Sequence, residues 1–284
     1  MMPDQTDASD RRQDLAEALR LLRKRAGLTG QTVARRAGMS QSKVSKIETG
    51  RLLPSVLDVE RILKALEVPH DVGADLIRLA RQANTEARSW RAYERLGYHK
   101  KQQELAAIEA QTRTLRLFQN ALIPGLLQTP EYVQAVFGRK SHLSPDARAK
   151  AIAARLERQN VLYDQRKEFI FVMTESVLRW RICPNAVMVT QLDRIGSLSR
   201  MENIRVGVIP WSARPAEFPL TSFCLFDNRL VTVEAFHCEL ATRDPKDVNL
   251  YFDRFDALAA SAIFGDSARE MLSRLAEEYR KLPD

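Results

Sequence analysis

Apolar residues recur at helical spacing through residues 14–83 and give way to short strand-like runs only from residue 168 onward. Leu15, Ala18, Leu19 and Leu22 stand at i, i+3, i+4 and i+7 and predict a helix over 14–25. Its acidic residues come first and its basic ones last, as the helix dipole favours, and Gly27 ends it. Val33, Ala34 and Ala37 then predict a short helix over about 31–37, and Val44 and Ile47 a second from Ser40 to near Thr49-Gly50. Between them Gly38 can take a positive φ without a Cβ penalty, so the chain turns sharply. Ser40 offers a hydroxyl to the free N–H groups of the next helix. After Leu53-Pro54-Ser55, the residues Val59, Ile62, Leu63 and Leu66 mark a helix over 56–66, and after Pro69 a fifth covers 72–83. Five short helices form an all-α unit over 14–83, preceded by a polar stretch, 1–13, that reads as a disordered lead-in.

The pattern then changes. Residues 84–119 read as a helical linker whose Leu105, Ile108, Leu115 and Phe118 pack on a second domain. Pro124-Gly125 predicts a tight turn that aims Leu126-Leu127 into a core, and 146–164 an arginine-rich amphipathic helix. Strands are expected over 168–174, over 204–209 up to Pro210, and over 220–226 and 230–236 as a hairpin about Asp227-Asn228. Helices return over 247–262 and 267–280. Residues 120–284 are therefore a regulatory or assembly domain with a small sheet, and the fold class is α+β.

A chain of 284 residues accommodates these two domains. At 45% apolar and 28% charged, its composition is that of a soluble globular protein. No apolar run approaches the ~18 residues a membrane helix needs, and the first residues lack the apolar core of a secretory signal. Cys183, Cys224 and Cys238 are odd in number and have no CxxC spacing, which suits buried thiols in a reducing cytoplasm better than disulfides or zinc. The net charge of +8 is unevenly spread: residues 11–51 hold eleven Lys/Arg against three Asp/Glu, and the rest of the chain sums to zero. A basic stretch such as Arg20-Arg23-Lys24-Arg25 is by itself an ordinary solvated face. Here it coincides with the helix–turn–helix spacing, and phosphate binding needs charge gathered on one face. The outward face of the second motif helix offers Gln41, Ser42, Lys43, Ser45 and Lys46, all hydrogen-bond donors suited to a major groove.

Residues 14–66 nearly fill the pattern LRxLRxxAGLTxQxxAxxxGxSxSxxSxxExGxxxPS and so resemble the lambda-repressor-like helix-turn-helix of the Xre family. The resemblance implies that Gln41, Ser42 and Lys46 read base edges with Ser45 close by, and that Gln31, Lys43 and Arg51 contact phosphates. Glu48 would repel phosphate if it faced DNA; the resemblance pairs it with Arg23 as a structural ion pair. Gly30 stands where the family pattern often has a polar residue, leaving Thr29 as the alternative cap. Proteins of this type bind near-palindromic sites as homodimers, with half-sites about one helical turn (~34 Å) apart. No zipper heptads are visible, so a dimer must be built by the linker or the C-terminal domain. Further on, IPGLLQTPEY, ARLERQ, TESVLR, QLDRI and IRVGVIP resemble the C-terminal domain of unknown function of Scr1-like, antitoxin-like actinobacterial regulators. That resemblance implies a small protein partner encoded by a neighbouring gene.

Glu157, Glu175, Glu234 and Glu239 are the candidate carboxylates of the second domain, and His237 adjoins Cys238. None falls in HExxH, GxSxG, a P-loop or GxGxxG, so no enzyme is expected. His70, His99 and His142 are scattered, so neither a metal nor a cofactor is expected. Arg155, Arg158, Gln159 and Glu175 are candidates either for a pocket taking an effector of unknown identity or for a polar network that orders the fold. The expectation is a cytoplasmic, sequence-specific regulator that binds double-stranded DNA and is modulated by its C-terminal domain. The alternative is an antitoxin-like protein that binds a small partner and autoregulates.

Overall fold

Thr29, Ser40 and Ser55 each present a side-chain oxygen to a backbone N–H three residues on, and each starts a helix. In the computed structural model, which describes residues 5–141 and 143–283 (side chains at 5–11, 70, 86–88, 91 and 92 excepted), these helices are α2 (Gly30–Ala37), α3 (Gln41–Glu48) and α4 (Val56–Ala65). With α1 (Gln5–Arg25) and α5 (His70–Asn84) they enclose a core of Leu15, Leu19, Val33, Val44, Ile47, Val59 and Ile62. The helix α1 starts at Gln5, inside the stretch expected as a disordered lead-in; residues 1–4 lie outside the described residues. No Gly or Pro interrupts Gln5–Arg25, and the buried Leu15 and Leu19 anchor the helix further along. This helical unit runs up to Ala87 and also includes Leu240–Asn249, where Lys246 pairs with Glu60 at 3.2 Å.

The second unit comprises Arg88–Glu239 and the chain from Leu250 onward. Residues 84–119 are not a helical linker. They contain β1 (Thr85–Ser89), α6 (Trp90–Leu96), α7 (Tyr98–Ala110) and β2 (Thr114–Gln119). Strand β2 is hydrogen-bonded on both sides, with Leu115 opposite Phe169 of β3 (Glu168–Thr174) in parallel and opposite Phe226 of β5 (Phe223–Phe226) in antiparallel register. Its Leu115 and Phe118 are three apart and fit a helix face equally well, and the pairing across the sheet decides between the two. Between β2 and β3 come a 3-10 turn (Gly125–Leu127), α8 (Pro130–Gly138), α9 (Pro145–Arg158) and a second 3-10 turn (Gln159–Tyr163). Then α10 (Glu175–Arg179) and α11 (Asn185–Leu198) cross over to β4 (Ile204–Ile209), again parallel, with Ile204 opposite Phe169. Strand β6 (Leu230–Glu234) closes the expected hairpin on β5, with Asp227 at φ 48° in the turn. The chain ends with β7 (Cys238–Thr242), α12 (Pro245–Ala260) and α13 (Gly265–Lys281). The strands lie in the order β1-β7-β6-β5-β2-β3-β4, a seven-stranded mixed sheet, and the fold is α+β. Among the described residues no helix is long and apolar enough to cross a membrane.

Candidate nucleic-acid interface

Gly38 sits at φ 65°, ψ 38°, a conformation that costs a side-chain-bearing residue energy, and the chain reverses there between α2 and α3. The Gly38 N–H returns to the Arg35 carbonyl (3.3 Å) and the Met39 N–H to the Ala34 carbonyl (2.9 Å), which satisfies the last turn of α2. Ser40 Oγ then accepts from the Lys43 N–H at 3.2 Å, and Thr29 Oγ1 from the Thr32 N–H at 3.1 Å. Thr29 is thus the cap of α2, and Gly30 its first residue. Val44 and Ile47 turn inward, so the opposite face of α3 carries Gln41, Ser42, Ser45 and Lys46, all exposed. Gln31 on the first turn of α2 and Arg51 beyond α3 are exposed as well.

The acid within this basic element is bound from behind. Arg23 Nε and Nη2 donate to Glu48 Oε1 and Oε2 at 2.7 and 2.8 Å, and Arg23 Nη1 donates to the Leu28 carbonyl at 3.0 Å. Both side chains are largely buried, 18% and 9% exposed. The hydrogen bond to Glu48 raises the Arg23 pKa, so the guanidinium keeps its charge. Lys43, expected to contact phosphate, also has a partner within the fold. Its Nζ is held by Asp58 Oδ1 at 2.7 Å, and that carboxylate is only 8% exposed. Asp58 also closes a capping box with Ser55, accepting from the Ser55 N–H at 3.1 Å, and so joins α3 to the start of α4. A desolvated carboxylate within reach holds an ammonium better than solvent does. The sequence reading missed Asp58, although Ser55-x-x-Asp58 is a visible capping spacing. Arg35, in the last turn of α2, is a further exposed cation that it did not single out.

In the second unit the structure brings together Arg155, Arg158 and Gln159 around the turn at Gly125. Gln159 Nε2 donates to the Gly125 and Gln128 carbonyls, each at 2.9 Å, and Arg194 donates to Gln159 Oε1 at 2.9 Å. Glu175 does not join them. Its Oε1 takes Arg179 Nε at 2.6 Å and its Oε2 the Trp211 N–H at 2.9 Å, fixing the chain after β4. His237 is exposed between β6 and β7, and Cys238 is buried at the start of β7. Among the described residues no group of three or more His, Cys, Asp or Glu could hold a metal ion.

A helix-turn-helix domain model matches residues 14–76, and the model of a domain of unknown function, DUF5753, matches residues 102–274. No curated protein matches the chain. Among solved structures it is similar to NucT from Helicobacter pylori, at 11% identity over 63% of this chain and 97% of that one, TM-score 0.36. It is also similar to the phospholipase D family member Nuc from Salmonella typhimurium, at 13% identity over 57% and 90%, TM-score 0.30. A third is TrmBL2, an archaeal chromatin protein, at 10% identity over 72% and 65%, TM-score 0.32. Likenesses this faint carry no inference about activity. The match over residues 102–274 covers more than half of the chain, and on it this helix-turn-helix protein belongs to the DUF5753 family.

Proposed function

We propose that the protein is a cytoplasmic transcriptional regulator of the Xre type that binds near-palindromic operators as a homodimer. The observation that carries this reading is the face of α3. It shows Gln41, Ser42, Ser45 and Lys46 to solvent while Glu48 is neutralised from behind by Arg23. Short polar side chains and a lysine on an exposed helix suit base edges, and the adjoining charge excess suits phosphates. In this reading Gln31 and Arg51 bind phosphate, and the chain acts by binding, with no catalytic step. Affinity then falls steeply with salt as condensed counterions are released. The test is footprinting on the promoter of the protein's own gene, with sedimentation to count chains per duplex. Protection of two half-sites about 34 Å apart by two chains is the expected result. A Gln41→Ala/Lys46→Ala protein that protects the same sequence as wild type overturns the assignment of readers.

A second reading, binding of a small neighbour-encoded protein in an antitoxin-like arrangement, is favoured by exposed aromatics on the second unit. Trp211, Phe218 and Phe236 are 64%, 78% and 107% exposed. Co-expression with the adjacent gene product tests it: a stoichiometric complex on size exclusion supports it, and separate elution counts against it.

A further inference from the structure

Arg155 and Arg158 stand on the last turn of α9, and Arg158 has too few acceptors for its protons. Arg155 gives Nη1 to Gln128 Oε1 at 3.1 Å and Nε to Gln102 Oε1 at 3.4 Å, both neutral amides. Its guanidinium also lies over the Phe137 ring, 4.5 Å from the centroid. The Arg158 side chain is only 7% exposed, and its Nε is 3.4 Å from Glu109 Oε2. Neither of those two atoms makes a hydrogen bond, and nor does Arg158 Nη1. Lys101, another buried cation of this unit, is treated differently: it closes on Glu239 at 2.5 Å. The carboxylate beside Arg158 is thus held loosely, and the hydrogen-bond acceptors of Arg155 are neutral amides. Burial pushes the Glu109 carboxyl above its ordinary range, against the pull of Arg158, Lys101 and Lys167. Burial and then the neighbouring Arg158 push the Arg155 guanidinium down to about 9, which leaves it charged at neutral pH.

Buried donors without acceptors are rare in native proteins because each one forfeits its hydration, and charged donors forfeit most. Gly125 lies against the pair. It is half-buried between buried Pro124 and Leu126, and a Cβ there would come within 3.0 Å of Arg158 Nη2 and 3.7 Å of Arg155 Nε. A bare Cα lets the chain at this turn lie close against both guanidinium groups.

We propose that Arg158 and Arg155, with Gly125 beside them, form a binding site for a small oxyanion, the carboxylate or phosphate group of a small molecule. The anion supplies the acceptor that Arg158 lacks, in charge-assisted hydrogen bonds. The site lies wholly in the second unit and does not depend on how α3 meets DNA.

Isothermal titration of the full chain with sodium phosphate and with sodium succinate, at constant ionic strength in sodium chloride, tests this. One saturable site for one of the two is expected, and which of them binds separates phosphate from carboxylate. Affinity should fall at least about tenfold in Arg158→Gln and in Gly125→Ala, the loss of a charged hydrogen bond. If Arg158→Gln fails to fold, Arg158→Lys keeps the charge and, with Gly125→Ala, carries the comparison. Absence of saturable binding by the wild type at millimolar anion means that internal water completes the cluster, and overturns the proposal. Equal affinity in the foldable Arg158 variants and Gly125→Ala overturns it too.

Discussion

Glu48 is held by Arg23 through two hydrogen bonds of 2.7 and 2.8 Å, and this lets a carboxylate sit on a helix otherwise suited to polyanions. Removing one partner of such a desolvated pair strands the other. Glu48→Ala is therefore expected to lower unfolding stability by about 2–3 kcal/mol in urea titration, because the Arg23 charge is left without its acceptor. The exposed positions of α3 should behave in the opposite way. Gln41→Ala and Lys46→Ala change stability by no more than about 0.5 kcal/mol while relaxing sequence preference in a binding selection. Arg51→Ala is expected to weaken all duplexes alike and to reduce the salt slope by about one, measured by fluorescence anisotropy across salt concentrations. The contrast between Arg51 and Lys43 is one of partners: Lys43 is already held by Asp58, while Arg51 is exposed.

At the scale of elements, what was legible in the sequence was local. The caps at Thr29 and Ser40, the left-handed Gly38 and the seam of Val33, Val44 and Ile47 depend on residues within a turn or two of one another. Strands β3 and β4 could be read because Phe169–Met173 and Ile204–Ile209 are nearly unbroken apolar runs. Strand β2 could not, since what makes it a strand is its pairing with β3 and β5, far along the chain. The partners of Glu175 and Lys43 were hidden for the same reason: Trp211 and Asp58 reach them only after folding. Because β2 is paired on both edges and Phe118 is fully buried, Phe118→Ala should cost about 3–5 kcal/mol by chemical denaturation. That is more than a residue of a loose linker could lose. In α7, Glu109 gives a pH signature. Unfolded, its carboxyl titrates near its ordinary value of 4.5; folded, it titrates higher. Below 4.5 both states hold the proton and the group contributes nothing. As pH rises past that value the unfolded chain releases its proton first, so this group's contribution to stability declines until the folded pKa is passed. Glu109→Gln should flatten this part of the stability–pH curve, measured as urea midpoints from acid to neutral pH.

For the whole molecule, charge and chain order divide differently. Residues 11–51 hold the entire excess of positive charge, and the remainder is neutral, so the long-range attraction to a polyanion comes from one end of the sequence. The helical unit itself, however, draws on two places in the chain: the stretch up to Ala87, and Leu240–Asn249. Lys246 meets Glu60, and the Arg243 N–H meets the Asn84 carbonyl at 3.2 Å, only when that late segment arrives. On the ribosome this imposes a schedule. At about 5–20 residues per second, the segment emerges roughly 8–30 s after the five helices have been made. For that interval the nascent chain carries α3 on an unfinished body, and the whole sheet from β2 to β6 is synthesised before the body can close.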